Sequence, residues 1–168
     1  YGYALKEGDR EQLFQELLEA NIPYSIEPSV SLQSCEEVLQ LCSEYPGRIF
    51  PAIGVHPTRS IFEKWSDRHK LDAYANTTGV IAIGEIGLDY HYKREEQRRL
   101  KQHLWFIYQL NLAWKMNLPV ILHVRDAHED ALRILRWHPA RKLGGVIHCF
   151  YGSKEIAEQY LKLGYYFG

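Results

Sequence analysis

The chain alternates between short apolar runs and amphipathic segments of helical spacing, and this alternation constrains its fold more than any other feature. "YSIEPSV", "RIFPAIGV", "GVIAIGE", "LPVILHV", "GGVIHCF" and "YYFG" read as six strands in order. Leu13, Phe14, Leu17 and Leu18 make one face of a first helix; Leu32, Cys35, Val38, Leu39 and Cys42 make another, with Ser34 and Glu37 spaced as a capping box. Further helices are expected from about Ile61 to Tyr74, Arg94 to Met116 and Asp130 to Trp137. A last one is N-capped by Ser153 and stopped by Gly164. Strands separated by helices pair in parallel, because each return to the sheet crosses through a helix.

Two architectures satisfy that rule, an open doubly wound sheet and a (β/α)8 barrel. A dinucleotide-type sheet wants a glycine-rich loop after its first strand, and none is present; polar residues instead recur at many strand ends. The expected class is therefore α/β, a TIM-type (β/α)8 barrel, of which six strands lie in this chain. A closed barrel takes about 250 residues. The 168 residues here form one domain, 1–168, that reads as an incomplete barrel and a piece of a longer protein.

A net charge of -1 supplies no global field for nucleic acid or anionic membrane, so any phosphate binding must be local. Cys35, Cys42 and Cys149 form no CxxC pair and leave an odd thiol, which points to a reducing, cytoplasmic setting. No apolar run approaches the roughly 18 residues of a membrane span.

Four strands end in a residue able to bind metal or move protons: His56, Glu85, His123 and His148. In a barrel all four point into one mouth. Two neutral imidazoles and a carboxylate are a known catalytic zinc set that leaves a coordination position for water, whose pKa the metal lowers toward ~7. Glu85, His123 and His148 are therefore the expected metal ligands, with Glu85 central to catalysis. His56 is either a turn residue before Pro57 or a substrate contact. Arg125, two residues past His123 on an extended chain, either meets an anionic oxygen or pairs with Asp126, Glu129 or Asp130. Asp89 either orients a ligand histidine or caps the loop. Tyr90 and Tyr92 are candidates for stacking on a base, and Lys93 and Arg94 for phosphate contacts. Cys149, next to His148, should face away from the mouth by strand alternation. Gly84 and Gly87 flank Glu85 and would leave backbone room for closely spaced ions.

Taken together, "GVHP", "AIGEIGLDY", Gln97 and Gln102 on the following helix, "LPVILHVRDAHEDAL" and "GGVIHCFYGS" resemble the TatD family of metal-dependent deoxyribonucleases, in order from about Gly54 to Gly168. The resemblance implies an amidohydrolase-like TIM barrel in which Glu85 bridges two divalent ions (Mg, Mn or Zn), and His123 and His148 complete the ligands of the second. It also implies that His56 lies close to the substrate, a DNA single strand or strand end. Two family elements have no counterpart: a His-x-His on the first strand and a Thr-Asp-x-Pro near the eighth. As an isolated polypeptide, the chain is accordingly expected to be poorly folded and weakly active or inactive, with unsealed strand edges. Two rival readings stay open: a barrel hydrolase of an amide, lactone or phosphotriester, or a degenerate fragment that only binds metal or a partner.

Overall fold

The computed structural model describes residues 7–91 and 96–168, with side chains from Arg10 onward. Tyr92, Lys93 and Arg94 lie outside the described residues. Six strands, β1 (Ser25–Pro28), β2 (Ile49–Ile53), β3 (Ala82–Asp89), β4 (Val120–Arg125), β5 (Gly145–Ile147) and β6 (Tyr165–Phe167), form one sheet. Every pair is parallel and the spatial order is the sequence order, β1 to β6. A doubly wound sheet would reverse its order at a switch point. The unreversed order is that of a barrel wall, open here between β1 and β6 among the described residues.

Among the described residues, seven α-helices cover the outside: α1 (Glu7–Glu19), α2 (Leu32–Glu44), α3 (Pro57–Ser60), α4 (Arg68–Ala75), α5 (Glu96–Met116), α6 (His128–Trp137) and α7 (Lys154–Lys162). The main core lies between them and the strands, built on Leu71, Trp105, Phe106, Leu110, Leu122 and Leu135. A second, smaller cluster of Ala52, Ala82 and Ile121, with Ile81 and Val146 packed on it, lines the inner face of the wall. Register places Ile26 beside Phe50 and Tyr166 beside Val146, so the inner layer continues to the open edges, where Ile26 and Tyr166 are exposed.

Two local expectations are corrected. The capping box of α2 is one turn earlier than expected: Ser31 is the N-cap and accepts from the Ser34 N–H, while the Ser34 hydroxyl accepts from the Ser31 N–H. Ser34 thus occupies the position expected of Glu37. The helix expected over Ile61–Tyr74 is split into α3, a 3-10 turn at Trp65–Asp67, and α4. Pro57 starts α3 early, and the segment between crosses to α2, where the Glu63 carboxylate accepts from the Leu32 N–H at 3.1 Å.

The strand β4 sits unusually close to both neighbours. A Cβ on Gly87 of β3 would lie 2.0 Å from the His123 carbonyl oxygen, and one on Gly145 of β5 would lie 2.0 Å from that of Val120. Both glycines have positive φ, 141° and 149°, which an L side chain rarely adopts. The space beside Gly87 is thus filled by the next strand, and a Cβ on Gly84 would meet Ile121 at 2.5 Å. These glycines accommodate strands, not ions.

Candidate metal centre

The barrel mouth gathers five side chains, from β3, β4, the residue after β5 and the start of α3. His56 N-caps α3. Glu85 and Asp89 lie on β3, spaced four apart along a strand whose register shifts between Ile83 and Ile86. His123 comes from β4, and His148 directly follows β5.

Glu85 is the hub. Its Oε1 lies 3.2 Å from Nδ1 of His123 and 3.2 Å from Nδ1 of His148. The other nitrogen of His123, Nε2, lies 2.8 Å from Oδ2 of Asp89, whose Oδ1 accepts from the His91 N–H at 2.9 Å. Asp89 therefore fills both roles open to it in the sequence: it caps the loop and orients the histidine. The His56 ring meets the His123 ring edge-on at 4.2 Å. Its Nδ1 accepts from the Thr58 N–H, which leaves Nε2 for the mouth.

Charge follows from these contacts. Burial works against a charged His123, but hydrogen bonds to Asp89 and Glu85 overcome it and raise the pKa to about 9. Burial opposes ionisation of Glu85 as well, and the His123 hydrogen bond with the three surrounding imidazoles overcomes it and lowers its pKa. Asp89 is lowered in the same way, against burial, by its bond to His123. His56 moves the other way: burial first, then the neighbouring His123 charge, lower it to about 4. Without metal, an imidazolium at His123 sits between two carboxylates, in the place of a cation.

The donor set fits a divalent ion. Among the described residues, the trio with one ligand atom each within 4.8 Å of one another is His56, Glu85 and His123, not the expected Glu85, His123 and His148. His148 joins through its Nδ1 contact to the same Glu85 oxygen, and with His56 Nδ1 taken by the Thr58 N–H, His56 would be a ligand only through an unprotonated Nε2. Both His123 nitrogens are accounted for: a carboxylate behind Nε2 fixes the tautomer that leaves Nδ1 as ligand, a common arrangement behind metal-bound histidine. A cavity of about 520 Å³ opens beside this centre, lined by His91, Arg125, Asp126, His148, Cys149 and Tyr151 among others.

Other expected residues fall elsewhere. Tyr90 is 6% exposed: its hydroxyl donates to Asp130 at 2.6 Å and Arg99 covers its ring at 4.3 Å. It offers no face to a base, and its place as a substrate platform is corrected. Cys149 does not turn away from the mouth. The strand has ended at Ile147, Cys149 has φ of 47°, and its Sγ lies 3.8 Å from Nε2 of His148.

Sequence reasoning missed two supports of the mouth. The buried Ser29 hydroxyl donates to the Gly54 carbonyl and accepts from its N–H, at 2.8 and 2.7 Å, while the Ser29 carbonyl accepts from the Glu85 N–H. Gln109, two turns after Gln102 on α5, is buried against Val55. Gln97, by contrast, is exposed.

A parallel, unreversed α/β wall whose strands and following turns bring a carboxylate and histidines together is the wall of a barrel with a candidate metal site at its mouth. The family model described as "TatD related DNase" matches residues 3–168, and the chain belongs to that family. It is 38% identical over 128 residues to the uncharacterized metal-dependent hydrolase YabD of Bacillus subtilis, covering 76% of this chain and 49% of that protein. It is 38% identical over 126 residues to the 3'-5' ssDNA/RNA exonuclease TatD of Yersinia pseudotuberculosis, covering 74% of this chain and 47% of that one. The crystal structure of YJJV, a TatD homolog from Escherichia coli, superposes with a TM-score of 0.88 at 30% identity, covering 99% of this chain and 63% of that chain. The chain thus spans about half the length of the curated relatives it matches. Among the described residues, no helix is long and apolar enough to cross a membrane.

Proposed function

We propose that this chain carries part of the active site of a metal-dependent phosphodiesterase that shortens single-stranded DNA or RNA from an end. The observation that supports it most is the single Glu85 oxygen shared by two imidazole Nδ1 atoms, one of them braced by Asp89. The name of the Yersinia relative supports the substrate class. Glu85, His123 and His148 would hold a divalent ion, Mg, Mn or Zn, and in the whole site Glu85 would bridge to a second. When bound, such an ion supplies Lewis acidity and a nucleophile from water near neutral pH. A cytoplasmic location agrees with the unpaired cysteines.

The chain's own residues do the rest. Asp89 keeps the proton on Nε2 of His123, so that Nδ1 presents its lone pair to the centre. His56 is neutral at pH 7 and, with Nδ1 accepting from Thr58, carries its proton on Nε2, where it donates to a phosphate oxygen of the substrate. Arg125, on the cavity wall, faces the same anionic group.

The test is a 5'-labelled oligonucleotide incubated with Mn²⁺ or Mg²⁺ and a complete barrel that carries these 168 residues, since the chain alone holds only part of the site. Progressive shortening is expected with the natural protein and none with Glu85→Gln or after chelation. Intact DNA and RNA under all metal conditions would overturn the proposal.

A further inference from the structure

The β2–β3 ladder ends at the Ile53–Ile83 pair, and beyond Gly54, which still packs closely on Gly84, its bonds do not continue to Val55 and Asp89. The backbone groups of these two residues are bonded by side chains of α5. The Gln109 amide accepts from the Val55 N–H at 2.6 Å and donates to the Val55 carbonyl at 3.1 Å. The Gln102 amide does the same to Asp89, at 2.8 Å in each direction. Both glutamines are nearly inaccessible, 2% and 1% exposed. Each primary amide offers the donor and acceptor pair of a strand backbone, so two turns of one helix stand in for a missing ladder.

What they hold is specific. Val55 precedes His56, and Asp89 carries the carboxylate on Nε2 of His123. We propose that Gln102 and Gln109 are positioning residues with separate effects: Gln102 sets the metal ligand through Asp89, and Gln109 sets the substrate contact through His56. This rests on the reading of the mouth as a metal-dependent site. A merely structural role would satisfy buried backbone groups, which are costly to leave unpaired, and its loss would lower stability without distinguishing the two.

The experiment compares Gln102→Met and Gln109→Met in the full chain, with Leu110→Ala as a control that damages the core of the same helix. Gln102→Met is expected to weaken Mn²⁺ binding roughly 10- to 100-fold, the range seen when the partner behind a metal ligand is lost. Gln109→Met is expected to leave Mn²⁺ affinity near that of the natural protein and to raise KM for an oligonucleotide. Leu110→Ala should lower the Tm and move neither. Glutamine variants that lower the Tm with Mn²⁺ affinity and KM unchanged would overturn the proposal. A natural chain that takes up no Mn²⁺ would overturn the metal reading instead. The clamp is then read from the NMR resonance of the His123 Nε2 proton, expected to move in Gln102→Met and not in Gln109→Met; an unmoved resonance in Gln102→Met would overturn it. Where a methionine variant does not fold, the milder Gln→Asn, too short to span both groups, is measured in the same way.

Discussion

Asp89 and His123 face one another across β3 and β4, Oδ2 to Nε2 at 2.8 Å, on strands whose register places Gly87 beside His123 and Asp89 beside Arg125. The carboxylate is 3% exposed, and its pairing with the imidazole sets which nitrogen is left for the centre. Asp89→Asn keeps the shape and removes the charge. Mn²⁺ affinity, measured by titration calorimetry, is expected to fall by about 10- to 100-fold while the protein stays folded.

The metal must displace a proton from His123. With its pKa raised to about 9, the ring is charged at neutral pH in the metal-free protein, so Mn²⁺ affinity should rise as pH increases toward 9, with proton release at pH 7. Stability of the metal-free protein moves oppositely. The His123 contribution is fully present below its unfolded value of about 6.5 and is lost as pH rises through about 9. Thermal melts from pH 6.5 to 9.5 should show the metal-free Tm declining and the gain from Mn²⁺ growing; a metal-induced gain independent of pH would contradict the assignment.

Tyr90→Phe separates a buried hydrogen-bond network from a substrate platform. The lost hydroxyl leaves Asp130 and His103 without their partner, and a destabilisation of about 1–2 kcal/mol is expected in urea unfolding. KM for an oligonucleotide should not change.

Gly87→Ala tests the close approach of β3 and β4. The added methyl meets a carbonyl oxygen that belongs to backbone and cannot swing aside. A loss of roughly 3 kcal/mol or more is expected, seen as reduced soluble yield and a lower urea midpoint.

The strands and their parallel pairing were legible because strand propensity, helical spacing and capping all pointed the same way. Of the four expected strand ends, however, only His148 directly follows its strand: β3 runs on past Glu85 to Asp89, β4 past His123 to Arg125, and His56 caps α3. The failures share a physical cause. Tyr90 was placed at the mouth by its position after Asp89, but its partners are Asp130 on α6, 40 residues ahead, and Arg99 on α5. Cys149 was assigned by alternation, a rule that ends with the strand at Ile147. Ser31, the N-cap of α2, is not recognisable as such from its spacing, because its box is closed by Ser34 and lacks the usual glutamate. Gln102 and Gln109 look like polar positions on an amphipathic helix; only their bonds to Asp89 and Val55, beyond the end of the β2–β3 ladder, show that they point inward. A buried polar residue recurring at a seven-residue interval on an otherwise core-facing stripe was the one available signal.

The two glycines beside β4 work like the wards of a lock. Gly87 on one neighbour and Gly145 on the other each leave a notch in a row of side chains, and a β4 carbonyl fits each notch. Sliding β4 by one residue would press those carbonyls toward the side chains of Leu88 or Ile86 on one side and of Val146 on the other. The notch at Gly87 thus favours the observed register, Gly87 beside His123, in which His123 and not Leu122 or Val124 reaches the mouth.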